Sequence, residues 1–229
     1  MSLFVIADPH LSMGTDKPMN IFEGWVNYEK RLADNWSKSV GPCDSVVIPG
    51  DISWGIDLAE ALPDLKFING LPGTKYILKG NHDLWWPTAR KLKAFFEAEG
   101  IFSIIPLLHD AVDVGPVIVA GTRGWFLEDG TENEFTVYRR ETLRLEMALQ
   151  AAKKLGEKPV YAFLHYPPLT HGQVCEEIVG LLESYGVEKC FYGHLHGSAI
   201  QYGFNGERNG IQYRLVSSDA LGFVPYRIL

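Results

Sequence analysis

Cysteine is scarce in this chain, and what there is forms no pattern. Cys43, Cys175 and Cys190 are odd in number, widely spaced and outside any CxxC arrangement. That argues against a disulfide framework or a thiolate zinc site, and predicts buried, reduced thiols. Long apolar runs are missing too, and no stretch approaches the roughly 18 consecutive apolar residues of a membrane span. The opening MSLFVIADPH has a short apolar run with no basic flank and no small-residue cleavage site, so a strand is expected there rather than a targeting segment. A soluble, cytoplasmic protein with no membrane partner is the expectation. Positive charge is the third shortage: 21 Lys and Arg against 28 Asp and Glu give a formal net charge of -7. A nucleic-acid partner is disfavoured, because such a partner calls for a basic face. A small anionic substrate is not, because bound divalent cations dominate the local potential of any site that holds them. Repeats, low-complexity tracts and linkers are absent as well. With 229 residues, 46% of them hydrophobic, a single domain over residues 1–229 is expected.

What is present is an alternation of apolar runs and amphipathic stretches. Strands are predicted over Leu3 to Ala7, Ser45 to Pro49, Tyr76 to Lys79, Val117 to Gly121, Val160 to Leu164 and Lys189 to Tyr192. Helices are predicted over Ile21 to Ser39, Leu58 to Phe67, Pro87 to Ala98, Thr136 to Leu155 and Val174 to Tyr185. In the fourth helix Val137, Leu143, Leu145, Met147, Ala148, Leu149 and Ala152 form the apolar stripe, with Arg139, Arg140, Glu141, Arg144 and Lys153 mostly on the solvated side. Strands that follow one another after Phe102 and after Tyr202 predict mixed sheets covered by helices. The closing run Leu221 to Leu229 is apolar enough for an edge strand, a core plug or a contact surface.

Potential metal ligands fall in five short runs: Asp8 with His10, Asp51, Asn81, His165, and His194 with His196. Each run closes a predicted strand, so residues far apart in sequence can converge at one sheet edge. Asp8 and His10 lie two apart, and on extended backbone they would face the same side. Pro9 biases Asp8 towards that extended form. Alone, the pair also fits a loop salt bridge. Asp51 after Gly50 can bridge two ions or cap the following helix. Asn81 supplies a neutral oxygen, beside which His82 can face a substrate and Asp83 can orient that imidazole. His194 and His196 repeat the two-apart spacing, or are satisfied loop residues. Five of the seven histidines lie in these runs, with only His109 and His171 outside, and that economy favours a metal site.

The order DxH, GD, GNHD, H, GHxH from Asp8 to His196 resembles the calcineurin-like metallophosphoesterase superfamily. The resemblance implies a four-layer αββα sandwich with two mixed β-sheets and a dinuclear centre at one rim. Asp8, His10 and His196 would hold one ion, Asn81, His165 and His194 the other, and Asp51 would bridge both. It implies a metal-dependent phosphohydrolase that cleaves a small phosphodiester or phosphomonoester by attack of a metal-bridging hydroxide, with His82 and Asp83 catalytic. Mixed O and N ligands accept manganese, iron, zinc, cobalt or nickel. Arg123 is a candidate phosphate contact or a surface arginine, and Tyr166 and His171 line the cleft or pack behind it. Trp54, Trp85, Trp86, Trp125 and Phe126 can stack on a substrate or form wall. A scaffold that keeps the fold and binds partners without turnover would have lost ligands or His82, yet all eight positions are intact. A nuclease would need the basic track or added domain that is missing here.

Overall fold

The computed structural model describes residues 1–126 and 131–229. Two mixed sheets stack face to face. The first has strand order β11-β1-β2-β3-β4, with β1 Leu3–Val5, β2 Ser45–Pro49, β3 Thr74–Leu78, β4 Ile104–Pro106 and β11 Tyr226–Arg227. The second has order β5-β6-β7-β8-β10-β9, with β5 Ala111–Asp113, β6 Ile118–Thr122, β7 Val160–Leu164, β8 Val187–Tyr192, β9 Gly206–Arg208 and β10 Ile211–Leu215. Strands β1 to β4 run parallel, as do β6, β7, β8 and β10, while β11, β5 and β9 are antiparallel edges.

The strands read as unbroken apolar runs because both faces are covered. Leu3, Val5, Val47 and Tyr76 meet Val119, Phe163 and Phe191 between the sheets. Phe4, Ile6, Val46 and Ile48 alternate with them and point outward, under α1 Tyr28–Ser39, α2 Leu58–Gly70 and α3 Ala89–Glu99. On the other side Ile118, Ala120, Ala162 and Leu164 lie under α4 Glu132–Leu155 and α5 Glu176–Ser184. The period of two along each strand thus sorts side chains into three apolar layers between four layers of structure. This is the expected αββα sandwich.

Several boundaries differ from those expected. The first helix begins at Tyr28, not Ile21: Gly24 and Asn27 take φ of 82° and 51°, which interrupts the helical path and turns Trp25 into the core. Residues 19–21 form only a 3₁₀ turn, leaving Ile21 and Phe22 exposed. The fourth helix starts four residues before Thr136, because Thr131 and Glu134 make a reciprocal capping box. Its buried face is Tyr138, Glu141, Leu145, Ala148, Leu149 and Ala152. Leu143 and Met147 point to solvent, and Glu141 is fully buried. The C-terminal run is both core plug and edge strand: Phe223 is buried in the core under the first sheet's helices, and β11 pairs with β1 at Phe4–Arg227 and Val5–Tyr226. Cys175 and Cys190 are buried thiols as expected, but Cys43 is exposed. Among the described residues no helix is long and apolar enough to cross a membrane.

Candidate metal centre

Parallel pairing aligns strand ends. The segment after β1 carries Asp8 and His10, the loops after β2 and β3 carry Asp51 and Asn81, and the ends of β7 and β8 lead into His165, His194 and His196. All seven expected ligands therefore come to one rim. They form two groups, Asp8 with His10 and His196, and Asp51 with His165 and His194, with the donor atoms of each group within 4.8 Å of one another. Asn81 Oδ1 lies 2.5 Å from His165 Nε2 and 3.0 Å from His194 Nδ1, which places it with the second group. Asp51 Oδ2 faces both groups, 3.7 Å from His10 Nε2 and 3.5 Å from His165 Nε2.

Convergence of this kind is bought with backbone strain. Asp8, His10, Asp51 and His194 all have φ between 45° and 72°, the left-handed region that L side chains rarely occupy. The extended Asp8 expected from Pro9 is corrected here. Bonds from Asp8 N–H to the Gly50 carbonyl (3.1 Å) and from His10 N–H to the Asp51 carbonyl (3.0 Å) draw the segment across the β2 loop and override the local bias. The glycines before ligands answer a separate need. A Cβ on Gly80 would strike the Asp51 carboxylate, and one on Gly193 would strike that of Asp8. Glycine at these positions is what lets two loops bring their ligands into one cluster.

The chemistry of the donor set fits a cation. His165 Nδ1 donates to the Pro49 carbonyl (3.1 Å) and His196 Nδ1 to Asp219 Oδ1 (2.9 Å), so both rings turn Nε2 inward, the nitrogen that can ligate once it gives up its proton. His196 Nε2 then confronts His10 Nε2 at 3.2 Å, two nitrogens that need a proton or a metal between them. Asp8 Oδ1 and Asp51 Oδ2 are buried without a well-directed hydrogen bond among the described residues, facing His165 Nδ1 at 3.2 Å and His165 Nε2 at 3.5 Å respectively. Burial lowers His10 far below the ordinary imidazole value, and burial with the His165 charge pulls His194 down to about 3, so both present neutral nitrogens. Burial opposes charge on His165 too, but the carboxylates of Asp51 and Asp8 outweigh it and lift that ring to about 9. A protonated His165 thus stands where positive charge is wanted, the place a bound cation fills. Burial also pushes the Asp51 carboxyl up, whereas on Asp8 burial is outweighed by the His165 hydrogen bond and neighbouring imidazoles, which hold it low.

The other expected residues are placed as follows. His82 is half-buried beside the ligands, its N–H bonded to Asp51 Oδ1 (2.8 Å) and its ring 5.7 Å from that of His10. Burial lowers its pKa, against the pull of Asp51. Trp54 stacks on His10 (4.9 Å, 22° between planes) and lies 4.3 Å from His82, forming one wall. Asp83 does not orient His82, which corrects that expectation. Its Oδ1 accepts from Ile52 N–H, Ser53 N–H and Trp85 Nε1–H, and its Oδ2 from Gly80 N–H. Fully buried, it clamps the β2 and β3 loops together, and burial with the nearby Asp51 charge raises it to about 6. Arg123 pairs with Glu141 (3.1 Å) and lies over Trp125, while its carbonyl accepts the N–H groups of His165 and Tyr166. Tyr166 is buried, with its ring 4.2 Å from His194. His171 packs near Phe204 at 5.7 Å.

Two supporting carboxylates escaped the sequence reading. Asp219 accepts from His196 Nδ1–H and, through Oδ2, from Gly197 N–H (2.9 Å). No spacing rule points to it, since it lies 23 residues beyond the ligand it orients. Asp219→Ala is expected to weaken metal binding about 10–100-fold, the usual cost of losing a carboxylate behind a ligating histidine; competition with a chelator measures it, and an unchanged affinity would refute the role. Asp64, buried in α2, accepts from Ser53 Oγ–H (2.5 Å) and Met13 N–H (2.8 Å), joining the loops after β1 and β2. Burial raises its carboxyl from 3.8 to about 6. The folded chain therefore holds this proton where the unfolded chain has lost it, so the contribution of Asp64 to stability falls as pH rises from about 4 to 6. Asp64→Asn can keep the bond from Met13 N–H and reverse the one to Ser53, its amide donating to Oγ, and should remove that part of the slope. Urea midpoints of the metal-free proteins across pH 4–7 test this, and parallel curves would count against it.

Strained strand-end loops thus bring Asp, Asn and His donors together at the rim of a two-sheet sandwich, in two groups that could each hold a metal ion. The chain belongs to the calcineurin-like phosphoesterase family, whose model matches residues 1–198. Among solved structures it is similar to a protein of unknown function, AQ665 from Aquifex aeolicus, with TM-score 0.52 and 16% identity over 99% of this chain and 95% of that one. It is also similar to TT1561 of Thermus thermophilus, with TM-score 0.55 and 14% identity over 85% and 81% of the two chains. At these identities the likeness is one of fold. No curated protein is significantly similar in sequence.

Proposed function

We propose that this protein is a metal-dependent phosphohydrolase acting on a small phosphodiester or phosphomonoester with two divalent ions in the centre. The observation that carries the reading is the pair of donor groups facing Asp51, with two buried carboxylate oxygens that lack a hydrogen bond among the described residues and two imidazole nitrogens, of His10 and His196, set against each other. Asp8, His10 and His196 would hold one ion and Asn81, His165 and His194 the other, with Asp51 between them. When bound, the ions supply Lewis-acid polarisation of the phosphoryl oxygens and a lowered pKa for water.

The chain supplies the rest. Carboxylates at Asp8 and Asp51 alone, among otherwise neutral ligands, leave two divalent cations under-neutralised, and that surplus suits an anionic ester. His82, half-buried beside the ligands, would pass a proton to the leaving oxygen. Burial lowers the pKa of its ring, and an arriving phosphate would pull it back up. Trp54 walls the His82 side and holds both rings in place. Asp83 keeps the Asp51 and Asn81 loops in register.

Hydrolysis of bis-p-nitrophenyl phosphate and p-nitrophenyl phosphate by metal-stripped protein, with manganese, iron, zinc, cobalt and nickel restored in turn, is the test. Turnover is expected only after metal is restored, and the faster ester reports diester or monoester preference. If two ions bind per chain and no metal restores turnover on either ester, the hydrolase reading gives way to the scaffold reading.

A further inference from the structure

A second cavity opens one strand along the same rim. The metal ligands come from the ends of β1, β2 and β3 and, across the sandwich, β7 and β8, whereas this cavity of about 510 Å³ lies at the ends of β3 and β4 facing β6 and α4. Neighbouring strands are about 4.8 Å apart, so the two sites are separated by on the order of 5–10 Å. The chain ties them together: Lys79 of the cavity precedes Gly80 and Asn81, and the Arg123 carbonyl accepts the His165 N–H.

Its lining is cationic in a protein that is otherwise acidic. Lys79, Arg123, Arg140 and Arg144 face a single carboxylate, Glu141, with His109 alongside. Glu141 is fully buried and acts as a hub: Oε1 takes Arg144 Nη1–H at 2.6 Å and Arg123 Nη2–H at 3.1 Å, with Arg140 Nε at 3.8 Å, while Oε2 takes the Thr122 hydroxyl at 3.0 Å. One carboxylate holds three guanidinium groups in a fan but cannot neutralise them together with Lys79, and it cannot meet five N–H donors from each arginine. Arg123 Nε and His109 Nδ1 are buried with no hydrogen-bond partner among the described residues. His109 is also held at φ 60°, a strained position like those of the metal ligands next door.

We propose that this cavity binds a second anionic group of the substrate, a phosphate or carboxylate remote from the scissile ester. Guanidinium forks match such oxyanions bidentately, and the volume accepts a phosphate with part of its carrier. The assignment rests on the phosphohydrolase reading, and it narrows the substrate class to phosphoesters with a distal anion one short linker away. Glu141 serves as the positioning residue that spreads the arginines.

The test has two arms. In the first, metal-stripped protein is titrated with inorganic phosphate by calorimetry, so the metal centre contributes nothing. Saturable binding is expected, weakened at least tenfold in Arg140→Gln/Arg144→Gln, with the melting temperature confirming the fold. Arg140→Gln alone, half exposed and 3.8 Å from Glu141, covers the case in which the double variant fails to fold, with a several-fold loss expected. In the second, metal-loaded protein is assayed on 4-nitrophenyl phosphodiesters whose other arm ends in phosphate or in hydroxyl. A preference in kcat/KM of at least tenfold for the phosphate-ended arm is expected, falling below twofold in the arginine variant. Absence of phosphate binding, or binding unaffected by the variants, overturns the anion site. Phosphate binding without any arm preference overturns the substrate assignment in favour of a separate anion site. Phosphate binding with hydrolysis of neither ester strikes at the phosphohydrolase reading instead, and the substrate assignment falls with it.

Discussion

Asp51→Asn is expected to lower metal content below two ions per chain and kcat/KM by at least about 10³-fold, a loss of about 4 kcal/mol in transition-state stabilisation. The substitution is nearly isosteric. Its Oδ1 can still accept the His82 N–H bond that Asp51 makes at 2.8 Å. What changes is the second atom: Oδ2, buried and facing both donor groups, becomes an amide nitrogen that cannot ligate and carries no charge. The folded chain should tolerate this well, because a buried unpaired carboxylate is itself costly. Metal analysis alongside turnover of bis-p-nitrophenyl phosphate reads the result. Two ions retained with full turnover would remove Asp51 from the centre.

His82→Ala is expected to behave differently, with kcat reduced about 10²–10⁴-fold and metal content unchanged. The backbone N–H that fixes Asp51 survives the substitution, and the imidazole belongs to neither donor group. The lost side chain leaves a gap beside Trp54, whose ring is 4.3 Å away, so a small fall in melting temperature is expected as well. Loss of the metals along with activity would show that His82 is a ligand or a support for one, not a proton carrier. A kcat within threefold of the parent would show that the leaving oxygen departs without help from this residue.

Much of the centre was legible because its residues are chemically distinctive and sit at strand ends, where short patterns such as GNHD and GHLH stand out from apolar runs. Their support was less legible. Pro9 argued for an extended Asp8, yet hydrogen bonds from a loop more than forty residues away set its φ at 56°. Sequence proximity pairs Asp83 with its neighbour His82, but four amide and indole donors from the two loops after β2 and β3 claim both its oxygens. The hydropathy of the fourth helix put Leu143 and Met147 inside and Glu141 outside, and the structure reverses all three. A wheel of hydropathies cannot know that Thr122 and Arg123 wait at the end of β6 to pair with a glutamate of this helix.

By itself the sequence determined the kinds of atoms available: hard oxygen and imidazole donors without thiolates, strands apolar on both faces, glycines beside the ligands, and an excess of acidic over basic residues. These are properties of residues and their near neighbours, which spacing and composition preserve. The tertiary structure decided which donors meet, since Asp8 and His194 are 186 residues apart and come together only through sheet pairing. It also decided which imidazole nitrogen faces inward, through the Pro49 carbonyl and Asp219, and it gathered four cations around one buried glutamate beside the centre. Those outcomes depend on long-range hydrogen bonds and on packing between two sheets, whose partners cannot be known until the chain has closed on itself.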